Sequence, residues 1–145
     1  MADFKFVTDT ATMCVFDPAC LKHRLEDDAD WWTIPSAELE EVNQGNVAFL
    51  GLNQDGPYAF SIVAELADAQ ISVNLKVPSG RLFCGAGEEV TSDGMEPDCT
   101  RGGTFCDVEP GNYTLLARKE ANFLTLCLIK SGTAINRFSA PLKFR

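Results

Sequence analysis

The chain has 145 residues, 46% of them hydrophobic and 23% charged, with a mean hydropathy of -0.04 and a net charge of -9 at pH 7. That length is the usual size of one domain, and the composition is that of a packed globular protein, which excludes a disordered tail or a fibre. So acidic a chain repels phosphate backbones, which argues against nucleic-acid binding, and its longest apolar runs fall far short of the roughly 20 residues that cross a bilayer, which argues against a membrane protein.

Residues 3–15 read as one or two short strands, fitting a hairpin, with Phe4 and Phe6 and then Met13 and Val15 two apart around Thr8-Asp9-Thr10. Charges interrupt the first residues too often for an export leader. With six cysteines in a chain of this size, the expectation is reduced thiols and a cytoplasmic location. At Asp17-Pro18 the pattern changes: Asp17 can cap a helix whose first position is Pro18, carrying Cys20, Leu21 and Leu25 and ending near Asp27. After Glu26-Asp27-Asp28-Ala29-Asp30 and Trp31-Trp32, a second short helix is expected over 37–43, with Ser36 as its N-cap.

Strand-like composition returns at 45–52, and Asn53-Gln54-Asp55-Gly56-Pro57 is dense in turn formers. The rest is nearly all β: runs at 58–66, 71–77, 81–84, 103–108, 113–119, 123–130 and 135–138 alternate with turn signals such as Pro78-Ser79-Gly80 and Pro110-Gly111-Asn112. Runs so spaced, without helices between them, predict a mainly β fold: an antiparallel β-sandwich of about seven to nine strands with one or two short helices inserted near the N-terminus. A single domain over 1–145 is expected, with a helical elaboration over 17–44 and a β-sandwich core over 45–145.

Charge is unevenly placed: residues 1–41 carry ten acids against three bases, and residues 117–145 one acid against six bases. Two adjacent tryptophans cannot both face one core if the backbone is extended. Trp31 and Trp32 beside Asp27, Asp28 and Asp30 therefore form the pattern of an aromatic anchor for a basic partner, or equally of a lid over the sandwich edge. These five are the candidate binding residues.

Cys14, Cys20 and His23 supply two thiolates and an imidazole within ten residues, a looser spacing than a zinc knuckle. The loop bearing Glu88, Glu89, Asp93, Glu96 and Asp98 offers hard oxygens without the calcium-loop pattern. Cys84, Cys106 and Cys127 suit a sheet interior, whereas Cys99 in a polar loop is expected to be the most oxidisable thiol. With one histidine in the chain and no nucleophile motif around it, no catalytic residue is assigned, and neither a metal nor a cofactor is expected.

Thr8-Asp9-Thr10 leading to Asp17-Pro18, then Asp30-Trp31-Trp32, Glu41-Val42-Asn43 and Gly45-Asn46, with Pro78-Ser79-Gly80-Arg81 and Pro110-Gly111-Asn112-Tyr113, resembles a family of small bacterial proteins of unknown function. The resemblance spans most of the chain and implies a setting among interbacterial toxin and immunity genes, with no catalytic residue to carry over. The leading expectation is a non-enzymatic cytoplasmic protein-binding module of the immunity-inhibitor type, engaging a partner with a basic surface. Two alternatives stand beside it. One is a structural accessory protein whose sheet edges pair into a homo-oligomer, and the other a small metal-binding protein or enzyme using Cys14, Cys20 and His23.

Overall fold

Short β-rich runs separated by turn formers become two stacked sheets. The computed structural model describes residues 3–24, 31–91 and 97–144. Among these lie nine strands: β1 (Phe4–Thr8), β2 (Thr12–Phe16), β3 (Ala48–Gly51), β4 (Gly56–Val63), β5 (Ile71–Val77), β6 (Arg81–Ala86), β7 (Thr104–Asp107), β8 (Gly111–Glu120) and β9 (Phe123–Lys130). One α-helix, α1 (Pro35–Asn43), and 3-10 turns at Pro18–Cys20, Lys22–Arg24, Trp31–Thr33 and Gly87–Thr91 complete the description. The five-stranded sheet runs β1-β4-β9-β8-β5 and the four-stranded sheet β3-β2-β6-β7, an open sandwich-like arrangement.

Period-two alternation fixes the register of the larger sheet. In β5 the residues Ile71, Val73, Leu75 and Val77 are buried while their neighbours are not, and they pair with Ala117, Leu115, Tyr113 and Gly111 of β8. A slip of one residue would turn this whole apolar row to solvent. In the smaller sheet β2 and β6 are buried almost throughout, so that sheet is covered on both faces.

Several local expectations give way to tertiary pairing. The strands over 3–15 do not form a hairpin: β1 joins β4 in one sheet, and β2 lies between β3 and β6 in the other. The sandwich therefore begins at Phe4, not near residue 45. The crossing at residues 9–11 is held by the Glu88 carboxylate, which accepts from the Thr8 hydroxyl (2.7 Å), the Asp9 N–H (2.8 Å) and the Thr10 hydroxyl (2.5 Å). Antiparallel pairing dominates, but β4 and β9 run parallel. The helix expected from Pro18 is instead two 3-10 turns as far as Arg24, and its last expected residues lie outside the described ones. Asp17 does cap the first turn, accepting from the Ala19 N–H at 2.9 Å. Helix α1 begins at Pro35 with Ile34, not Ser36, as N-cap, because the ring fixes a helical φ where no N–H partner is needed.

The strand expected at 135–138 is an irregular segment held by side-chain amides: Asn43 bonds Phe138, Asn74 bonds Ile135, and Asn136 makes the most buried contacts. Asn136 donates through Nδ2 to the carbonyls of Val42 (2.8 Å) and Asn74 (2.7 Å), and its Oδ1 accepts from the Asn74 N–H (2.8 Å). Residues 45 and 136 thereby cover the outer edge of β5, while the β3 edge is covered by the Gly51 N–H on Leu142 and the Phe144 N–H on Gly51. The β1 edge meets residues 101–103, where Gly102 has φ +87° and a Cβ would stand 2.3 Å from the Lys5 carbonyl, so only glycine fits. Replacing Asn136 by Ala removes three hydrogen bonds at a largely buried site and should lower the unfolding free energy by about 2–4 kcal/mol in urea denaturation. A loss below about 0.5 kcal/mol would show that the segment is held by something else.

Candidate protein-interaction surface

Helix α1 turns Glu41 and Val42 inward, which places a carboxylate under the N-terminal turns. Glu41 is 1% exposed and is met by three donors. The His23 Nε2 lies 2.9 Å from both carboxylate oxygens, the Arg24 Nε 2.8 Å from Oε2 and the Asn46 Nδ2 2.7 Å from Oε1. Burial alone would raise the acid's pKa, but hydrogen bonds from Asn46, His23 and Arg24 outweigh it and hold the group below its ordinary value. The Arg24 guanidinium also lies over the Trp31 ring, 4.7 Å from its centroid. Arg24 and Trp31, the residues on either side of the acidic run in sequence, are thus in contact.

Both tryptophans are buried, Trp31 at 3% and Trp32 at 6% exposure. This is possible because their backbone is a 3-10 turn, not an extended strand. Trp32 stacks on Phe49 of β3 with ring centroids 5.4 Å apart, and Trp31 meets the same ring edge-on at 6.2 Å. The pair caps the outer face of β3, so neither ring stands free in solvent. Asp27, Asp28 and Asp30 lie outside the described residues.

Cys14, Cys20 and His23 each have a separate partner. The Cys14 thiol donates to the Ala86 carbonyl (3.2 Å), the Cys20 thiol to the Lys76 carbonyl (3.7 Å), and His23 is held by Glu41. Burial raises both thiols, Cys20 to about 11, which disfavours the thiolate that binds metals. Among the described residues no group of three or more His, Cys, Asp or Glu stands where it could hold a metal ion. In the acidic loop, Glu88 serves the β1–β2 crossing and Asp98 accepts from the Thr100 N–H (3.0 Å), while Asp93 and Glu96 lie outside the described residues. Cys84 and Cys127 are buried as expected. Cys106 is only partly buried, and the neighbouring Cys84 lowers its thiol pKa. Cys99 is half-buried, and burial, with Glu89 and Asp98 nearby, raises its thiol, contrary to the expected ready oxidation.

Sequence reasoning missed Glu41 and Arg24. Within Glu38-Leu39-Glu40-Glu41 nothing marks the last carboxylate as buried, since its donors come from residues 23, 24 and 46. The structure also holds a mostly apolar hollow of about 660 Å³ beside β1, lined by Phe6, Val7, Tyr58 and Arg101 among others, with none of Trp31, Trp32, Cys14, Cys20 or His23 in its walls.

Residues 1–144 match the model of a family of unknown function, DUF6386, and the chain belongs to that family. No curated protein matches the sequence. Among solved structures it is similar to ComJ from Bacillus subtilis, described as an inhibitor of the DNA-degrading activity of NucA. That pair has 10% identity and a TM-score of 0.53, covering 90% of this chain and 96% of ComJ. The product of crocagin biosynthetic gene J is also similar, at 18% identity and a TM-score of 0.47, covering 88% of this chain and 98% of that one. At such identities the likeness to ComJ establishes a shared fold.

Replacing Glu41 by Gln leaves Arg24 without its counter-charge and removes the carboxylate that meets His23 and Asn46, and should cost about 3–5 kcal/mol at pH 7, read by chemical denaturation with tryptophan fluorescence. Because the folded state holds this acid below its ordinary 4.5, the stability it contributes is present above that value. The deficit should therefore shrink as the pH falls below it. A deficit independent of pH would assign the loss to packing instead.

Proposed function

We propose that this member of the family is a non-enzymatic protein-binding module of the inhibitor type, acting in the cytoplasm on a protein partner with a basic surface. The observation that carries the reading is the contact of Arg24 with Trp31 across the acidic run, with Arg24 also bound to the buried Glu41. Four carboxylates in five residues, Glu26, Asp27, Asp28 and Asp30, lie between these two contacting residues in sequence. Fixed flanks reduce the ordering cost of binding, and concentrated negative charge steers a basic protein into encounter. The fold shared with ComJ, a protein described as an inhibitor, supports the same reading, as does the resemblance to small proteins of toxin and immunity gene neighbourhoods. In this reading the tryptophans are the fixed base of the binding segment.

Assembly by sheet-edge pairing is the weaker alternative, because backbone groups on three of the four sheet edges, β1, β3 and β5, are already engaged by residues 101–103, 142–144 and 45 with 136, leaving the four-residue β7 as the edge through which it would act.

The test is affinity capture from source-cell extract with the native protein and with the triple variant Asp27→Lys, Asp28→Lys, Asp30→Lys. The expected result is a stoichiometric basic partner whose own activity falls when the native protein is added. The triple variant should fold normally and lose that capture. Capture unaffected by charge reversal overturns the proposal.

A further inference from the structure

A small cleft opens beside the tryptophans. It has a volume of about 280 Å³ and lies between the Trp31–Thr33 turn, helix α1, the start of β2 and residues 141–143. Its walls include Thr10, Thr12, Trp32, Glu38 and Lys143. That volume sits just under the range of roughly 300–1,000 Å³ typical of drug-sized ligands, so it suits a single side chain.

The Glu38 carboxylate is the unusual member. It is half-buried in the first turn of α1, and no hydrogen bond or ion pair reaches it among the described residues. Burial pushes its pKa up to about 7, with no cation acting in the other direction. Lys143 is exposed at the rim and does not neutralise it. Elsewhere on this face a buried carboxylate is fully supplied with donors, as Glu41 is. Glu38 faces a cavity instead.

We propose that this cleft receives a lysine or arginine side chain of the basic partner, the cationic head meeting the Glu38 carboxylate and the methylenes lying along Trp32. This inference rests on the protein-binding reading above and names a specific contact within it. A cation satisfies a partly desolvated carboxylate better than any neutral group, because both charges gain from the lowered local dielectric. The Thr12 hydroxyl already donates to the Thr10 carbonyl at 2.9 Å, leaving its oxygen lone pairs to accept from a guanidinium or ammonium. In sequence, the cleft-lining Trp32 and Thr33 follow Asp30 within three residues.

The probe is the peptide acetyl-Gly-Arg-Gly-amide, titrated into the isotopically labelled protein and followed by amide and indole chemical shifts. Its citrulline counterpart, isosteric and uncharged, is the control. Saturable shifts are expected at Trp32, Thr33 and Glu38, with affinity at least about tenfold weaker for the citrulline peptide and for arginine binding to Glu38→Gln. The spectrum of Glu38→Gln itself reports that the variant is folded. Equal binding of the two peptides, undiminished binding to Glu38→Gln, or shifts confined to other residues overturns the inference. A silent cleft in a protein that still captures its partner through the acidic run overturns this inference alone. Charge-insensitive capture with the cleft shifts intact overturns the wider reading alone.

Discussion

Arg24 holds the candidate binding face together. Its Nε is bound to the buried Glu41 and its guanidinium lies over Trp31, so one side chain joins the N-terminal turns, helix α1 and the aromatic cap on β3. A carboxylate taken out of water is costly unless donors replace the lost hydration, and Glu41 receives three. The arrangement is therefore stable only as a set. Remove the acid and the arginine loses its anchor; remove the arginine and the acid is left partly unpaired. Through Trp32 and Phe49 the same set is fixed to β3, and through β3 to β2 at the middle of the smaller sheet.

In the proposed function, this fixed framework gives the acidic run that it flanks a use beyond solubility. Charges on a free tail attract a basic protein but lose conformational entropy when they dock. In the proposed reading, charges whose flanks are fixed at Arg24 and Trp31 lose less, so more of the Coulomb attraction is available as affinity. The likeness to ComJ at 10% identity shows how little of the sequence this fold prescribes, which leaves the surface free to specify a partner.

The β architecture was largely legible in the chain, because the buried face of a strand writes itself as alternation. The runs expected at 71–77 and 123–130 are β5 and β9 with the same ends. Pairing was not legible: nothing in residues 3–15 shows that β1 and β2 part into different sheets, or that β9 lies parallel to β4. Where a strand or helix failed to appear, a side chain had replaced the repeating backbone bonds. Asn136 does so in the C-terminal segment, and Asp17 does so by accepting from both the Ala19 and the Ser79 N–H. At the candidate surface the tryptophan doublet was visible as a feature and ambiguous in meaning. Its burial depends on a 3-10 turn and on Phe49, and Glu41 was invisible because its partners are distant in sequence.

In the proposed function the partner docks on the face that carries Arg24, Trp31 and helix α1. Backbone hydrogen exchange of the protein, alone and saturated with its captured partner, reads that footprint directly. Added protection is expected across residues 22–44, extending to the cleft-lining residues 141–143, with β8 and β9 unchanged. Protection centred instead on the apolar hollow beside β1, at residues 5–9, 57–59 and 100–102, with 22–44 unaffected, would contradict it.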